Sequence, residues 1–151
     1  MPNLFIQRCV NNEQIRQKRF IGANIAIGCA AMDGADDACF NIAIGRNALG
    51  GSLSKSGSDD ACNNVAVGVL SATALTCGYS NVAMGAFALY WNSTKGNLVA
   101  IGDSSLYNNS YGEGNTALGS KTLYSNSTGD NNTATGRDAL YTNTTGYENT
   151  A

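Results

Sequence analysis

Two phrases in the N-terminal half place paired carboxylates beside a cysteine: GADDAC at 34–39 and GSDDAC at 57–62. Asp36 and Asp37 recur as Asp59 and Asp60, and Cys39 recurs as Cys62. Four carboxylates in register could bind Ca²⁺, which takes six to eight oxygen ligands. Paired carboxylates also carry glycoside hydrolysis. Neither chemistry fits well. The phrases do not match the Gly-Gly-x-Gly-x-Asp pattern of calcium β-rolls, and duplication of one phrase explains the pairing without catalysis. Solvated loop carboxylates are the expectation, with no metal, no cofactor and no enzymatic activity. The chain has no histidine, which removes the commonest general base and metal ligand.

The remaining chemistry-bearing residues are equally bland. Five cysteines, an odd number, occupy positions 9, 29, 39, 62 and 77, which is not a secreted disulfide framework. Stacking of Cys39 on Cys62 could bring them to disulfide distance. A reducing cytosol and the parallel directions of stacked side chains favour small buried thiols instead. Thr116, Thr133 and Thr150 form a column, but Ile25, Ile42, Val65 and Val82 occupy it earlier, so an ice-binding face is not expected. Asn-x-Ser/Thr sequons such as those at Asn92, Asn126 and Asn143 follow from composition alone. No phosphate-binding loop or nucleic-acid signature is present, and no apolar stretch is long enough to cross a membrane as a helix. The first residues, MPNLFIQRCV, lack the long apolar run and cleavage site of a secretory signal, so assembly in a cytosol is expected.

What must position these residues is a repeat. NIAIG at 24–28 and 41–45, NVAVG at 64–68, NVAMG at 81–85, LVAIG at 98–102, NTALG at 115–119, NTATG at 132–136 and NTA at 149–151 share one frame. Their glycines, Gly28, Gly45, Gly68, Gly85, Gly102, Gly119 and Gly136, are spaced 17, 23, 17, 17, 17 and 17 residues apart. The longer interval carries six extra residues in the Gly/Ser-rich stretch at 50–60. Four residues after the glycines stand Met32, Leu49, Leu89, Leu106, Leu123 and Leu140, with Ala72 as the exception. Tyr90, Tyr107, Tyr124 and Tyr141 form another column, and Asn92, Asn109, Asn126 and Asn143 a further one.

A fixed period this short predicts a solenoid. Asn, Gly and Thr are poor helix formers, and in NIAIG the branched residues alternate with small ones, which predicts a short strand stopped by glycine. The Ala-Leu-Tyr segment reads as a second strand, and TGDNN or YGEGN as turns. The expected fold is an all-β parallel β-solenoid or β-roll of about eight 17-residue coils, roughly 35–40 Å long at the usual strand spacing. Each coil offers only Ile25, Ile27, Met32 or their equivalents as sizeable apolar residues, so a coil relies on its neighbours for stability. Three chains sharing an apolar axis would thicken the core, and repeated asparagines can form amide ladders. Only 13% of residues are charged and the net charge is −2, which points to order rather than to a charged disordered chain.

The run NTALGSKTLYSNSTGDNNTATGRDALYTNTTGYENTA resembles the Asn-Thr-Ala-x-Gly-x-x-Ala-Leu repeats of bacteriophage tail-fibre proteins. NIAIG and NVAVG are similar to the head repeats of trimeric autotransporter adhesins. The resemblance covers about 21–151 and departs from the pattern at 50–60. It implies a homotrimeric fibre shaft in a virion, assembled in the host cytoplasm, that joins the tail or baseplate to a host-recognition tip beyond residue 151. A bacterial surface adhesin or self-assembling extracellular filament is the alternative. Two regions are expected: 22–151 as shaft, and 1–21 as an attachment or capping segment whose Arg8, Arg16, Lys18 and Arg19 would dock to other virion proteins. Neither nucleic acid nor membrane insertion is expected.

Overall fold

The computed structural model of the chain describes residues 4–6, 22–34, 38–51 and 61–151. The carboxylates Asp36, Asp37, Asp59 and Asp60, the basic residues Arg8, Arg16, Lys18 and Arg19, and most of the 50–60 stretch lie outside the described residues.

The fold is an all-β parallel solenoid. Its strands are β1 (Leu4–Ile6), β2 (Ile25–Ile27), β3 (Ile42–Ile44), β4 (Val65–Val67), β5 (Val82–Met84), β6 (Val99–Ile101), β7 (Thr116–Leu118) and β8 (Thr133–Thr135). They form one sheet in sequence order, each pairing in parallel with the next. Ile25, Ile42, Val65, Val82, Val99, Thr116 and Thr133 make one continuous line across it, and the alanines at their centres another. The 23-residue coil keeps this register: Ile42 pairs with Val65 as Val65 pairs with Val82. The ladder also runs one step past β8, where Thr133 bridges Thr150. At the other end β1 pairs with β2, so the sheet takes its first strand from the segment expected to cap or attach the rod.

Each coil has one strand, not two. The Ala-Leu-Tyr segments are turns. Leu49, Leu89, Leu106, Leu123 and Leu140 have φ between 48° and 52°, and the residues two before them, such as Phe87 and Ser104, are also left-handed. An L-residue there costs about 1 kcal/mol or more, so sequence pattern alone does not lead to it. Coil-to-coil bonding holds the conformation in place. Leu106 N–H donates to Thr122 O at 3.0 Å, Asn108 N–H to Tyr124 O at 3.1 Å and Ser104 N–H to Ala86 O at 2.8 Å. Backbone groups are thus satisfied along the rod even where the path is not β.

The glycines after the strands allow close approach. Gly102 has φ +136°, and a Cβ on it would stand 2.4 Å from the Gly119 carbonyl oxygen of the next coil. Any larger residue meets both the strain and the clash.

The interior is narrower than the sequence suggests. Within a strand the alanine is buried and its two branched neighbours face outward. The filled core comprises the strand alanines, further alanines outside the strands such as Ala48 and Ala88, and Met32, Leu49, Leu75, Leu89, Leu98, Leu106 and Leu123, with buried asparagines among them. The expectation that Ile25 and Ile27 fill a coil's core is therefore reversed, and only Met32 of that trio is fully buried. The geometric reason is that a coil one strand wide has room opposite its leucine for a methyl group, not for a second branched side chain.

Candidate functional site

With no catalytic constellation among the described residues, the features able to do something are three columns that the solenoid builds from the repeat.

The first is the outer face of the sheet. Ile25, Ile42, Val65, Val82 and Val99 form one half-buried line, and Ile27, Ile44, Val67, Met84, Ile101 and Leu118 a second. Ile44, Met84 and Leu118 are 37%, 42% and 45% exposed. Two adjacent apolar lines on a parallel sheet are an uncommon surface for an isolated chain, because parallel sheets are normally covered on both faces. The lines become polar at Thr116, Thr133 and Thr135.

The second is a buried amide spine. Asn41 N–H donates to Asn24 Oδ1 at 2.9 Å, and the same bond recurs from Asn64, Asn81 and Leu98 to the asparagine one coil earlier. It resumes from Asn132 to Asn115 and from Asn149 to Asn132. The side-chain amides donate to carbonyls of the adjoining turn: Asn115 Nδ2 to Gly129 O at 2.7 Å, Asn132 Nδ2 to Gly146 O at 2.7 Å. A second amide line, Asn109, Asn126 and Asn143, is linked Nδ2 to Oδ1 at 2.8 and 2.9 Å. The amide ladder expected from the sequence is present, and it lies inside the rod.

Leu98 interrupts the spine. It occupies the asparagine position, so Asn115 N–H has no side-chain acceptor beneath it. Asn109 Oδ1 accepts from Asn115 Nδ2 at 3.4 Å, whereas the residue placed to serve Asn92 in the same way is Leu98. Asn92 Oδ1 is accordingly the one buried side-chain polar atom without a partner among the described residues.

The third column is aromatic. Tyr90, Tyr107, Tyr124 and Tyr141 stack face to face, with centroids 5.1, 5.0 and 5.0 Å apart and planes within 4–7° of parallel. Trp91 meets Tyr90 edge-on at 4.9 Å, and Phe87 tilts against Tyr90 and Tyr107. An isolated aromatic pair prefers offset or edge-on geometry; here the coil spacing sets the ring separation. Burial raises the Tyr124 phenol above its ordinary value, and the flanking Tyr107 and Tyr141 raise it further.

The cysteines differ from expectation. Cys39 and Cys62 are joined in a disulfide with Cα atoms 4.7 Å apart, and Cys29 is disulfide-bonded too. Cys77 is a free thiol. The pair at 39 and 62 is a parallel bridge, and directly paired parallel residues fall within the normal disulfide Cα range. Both cysteines are half-exposed, so they are not the buried thiols that the sequence favoured.

Among the described residues no cluster of metal-ligating side chains occurs, and no helix is long and apolar enough to cross a membrane. The seven repeat glycines each follow a strand, and Leu49, Leu89, Leu106 and Leu123 are fully buried while Leu140 is partly so. The outward apolar lines were missed because alternation shows that two faces differ, not which one is inside. The tyrosine column was legible as a spacing; its stacking required the coil pitch. Comparison with protein families, with curated proteins and with solved structures finds no match to the chain.

Proposed function

We propose that the chain is part of the shaft of a homotrimeric virion fibre that links a phage tail or baseplate to a host-recognition tip. The observation that carries this reading is the pair of apolar lines on the outer face of β2 to β6. They supply the apolar axis that three copies would share, and the narrow coil leaves those side chains no place within one chain. A rod of in-register coils transmits position, and several fibres acting together strengthen adsorption through effective concentration. In this reading residues 1–21 dock to the tail, and receptor contact belongs to a tip that the rod carries. No catalysis is assigned.

Light scattering of the purified chain is expected to give three times its 15.6 kDa mass, and Val82→Asp, on the outer line, should shift it to monomer while the far-UV spectrum persists. A monomeric wild-type chain would overturn the trimer. An antibody against the rod should label tail appendages of particles released on lysis. Label confined to the bacterial envelope would overturn the virion assignment in favour of a surface adhesin or extracellular filament. One observation favours that second reading: the Cys39–Cys62 disulfide belongs to oxidising surroundings.

A further inference from the structure

We propose that the tyrosine stack is a site of oxidative cross-linking, at which adjacent coils are joined covalently as dityrosine when the protein meets a one-electron oxidant such as peroxide with a haem peroxidase. The proposal is independent of the fibre reading.

Four of the seven tyrosines are in the stack. Neighbouring rings are held within 5.1 Å along the whole line. Tyr90, Tyr107 and Tyr124 are half-buried rather than sealed, and Tyr141 is exposed at the end. Their phenols also sense one another electrostatically, as the Tyr124 shift caused in part by Tyr107 and Tyr141 indicates. Reactants held in contact behave as though at very high local concentration, so a radical on one ring meets its neighbour long before it meets another molecule.

The step balances. Each of two phenols loses one electron and its hydroxyl proton, giving two phenoxyl radicals. These join at ring carbons ortho to oxygen, forming one C–C bond, and the displaced ring hydrogens move to the two oxygens. One peroxide accepts the two electrons and two protons and leaves as two waters. Because the partners are one coil apart, each bond would tie successive turns of the rod and prevent unwinding at that level.

Exposure alone predicts a different product. Tyr111 and Tyr147 lie outside the stack and are 63% and 70% exposed, against 37% for Tyr141. If accessibility decided the outcome, these two would react first, between molecules. The test is to treat the full chain with hydrogen peroxide and peroxidase, read dityrosine fluorescence, and map cross-linked peptides by mass spectrometry. The expected result is intramolecular links between Tyr90 and Tyr107, Tyr107 and Tyr124, or Tyr124 and Tyr141, with a yield independent of protein concentration. Tyr124→Phe removes two of the three stacked pairs and should lower the yield to about one third, while Tyr141→Phe, at the exposed end, should leave about two thirds. Tyr147→Phe should change nothing. Links mapping to Tyr111 and Tyr147, rising with concentration and insensitive to Tyr124→Phe, would overturn the proposal.

Discussion

Replacing Leu98 by asparagine should do little harm, and this is contrary to ordinary experience with buried leucines. Leu98 is fully buried, and truncating such a residue commonly costs about 2–5 kcal/mol. Burying a polar side chain in its place would normally add to that. Here the site is already shaped for an amide. The introduced side chain would offer its Oδ1 to the Asn115 N–H, as Asn115 does to Asn132 at 2.8 Å. Its Nδ2 would reach towards Gly112 O, by analogy with Asn115 to Gly129, and towards the unpartnered Asn92 Oδ1. Two buried groups would gain partners, each worth about 1–3 kcal/mol, against about 2–3 kcal/mol of lost apolar burial. By those magnitudes the net change should lie between a loss of about 1 kcal/mol and a gain of about 4 kcal/mol. Leu89→Asn, at an equally buried leucine of the other column, should cost at least about 3 kcal/mol, since no orphaned group awaits it. Urea unfolding midpoints of the two variants and the wild type give the comparison. Equal losses in both variants would refute the idea that Leu98 is a gap in a continuous spine.

Three further outcomes follow from the same geometry. Gly102→Ala should destabilise by about 3 kcal/mol or more through strain and clash, whereas Gly136→Ala, with nothing within 4 Å of its added Cβ, should lose only the strain of its positive φ; thermal melts would rank them. Cys39→Ser should lower stability by about 3 kcal/mol under oxidising conditions, from the 23-residue separation it frees, and should match the wild type once reductant is added to both. The Tyr124 phenol is raised above its unfolded value of 10.0, so its contribution is fully present below that pH and is lost as pH climbs towards the folded value, where the unfolded chain binds fewer protons. Unfolding midpoints followed across the alkaline range, from below to above 10.0, should therefore fall less steeply in Tyr124→Phe.

The repeat carried most of the fold. Glycines 17 residues apart and small-branched alternation in NIAIG are local statements about chain reversal and strand period, and both were readable. The turn at Leu106 was not, because its left-handed backbone is unfavourable for leucine in isolation and is held by bonds to other coils, such as those from Leu106 to Thr122, from Asn108 to Tyr124 and from Ser104 to Ala86. The inward side was also hidden. Ile25 outweighs Ala26 on any hydrophobicity scale, yet the width of a coil admits the alanine. Oxidation of Cys39 and Cys62 rests on their direct pairing as a parallel bridge with Cα atoms 4.7 Å apart, a closeness that spacing alone does not record. The gap at Leu98 was visible as LVAIG among NxAxG phrases, but its effect on Asn92 and Asn115 appears only when two amide columns are seen side by side.

Ile42 finds Val65 across 23 residues as readily as Val65 finds Val82 across 17, and this separates reach from ornament. One more duplicated phrase extends the assembly by a single sheet spacing, about 4.8 Å. Extra codons inserted between phrases leave the extent unchanged and alter only what decorates that level. A lineage carrying such a gene could therefore adjust distance and surface as two independent dials, by slippage of whole units for one and small in-frame insertions for the other.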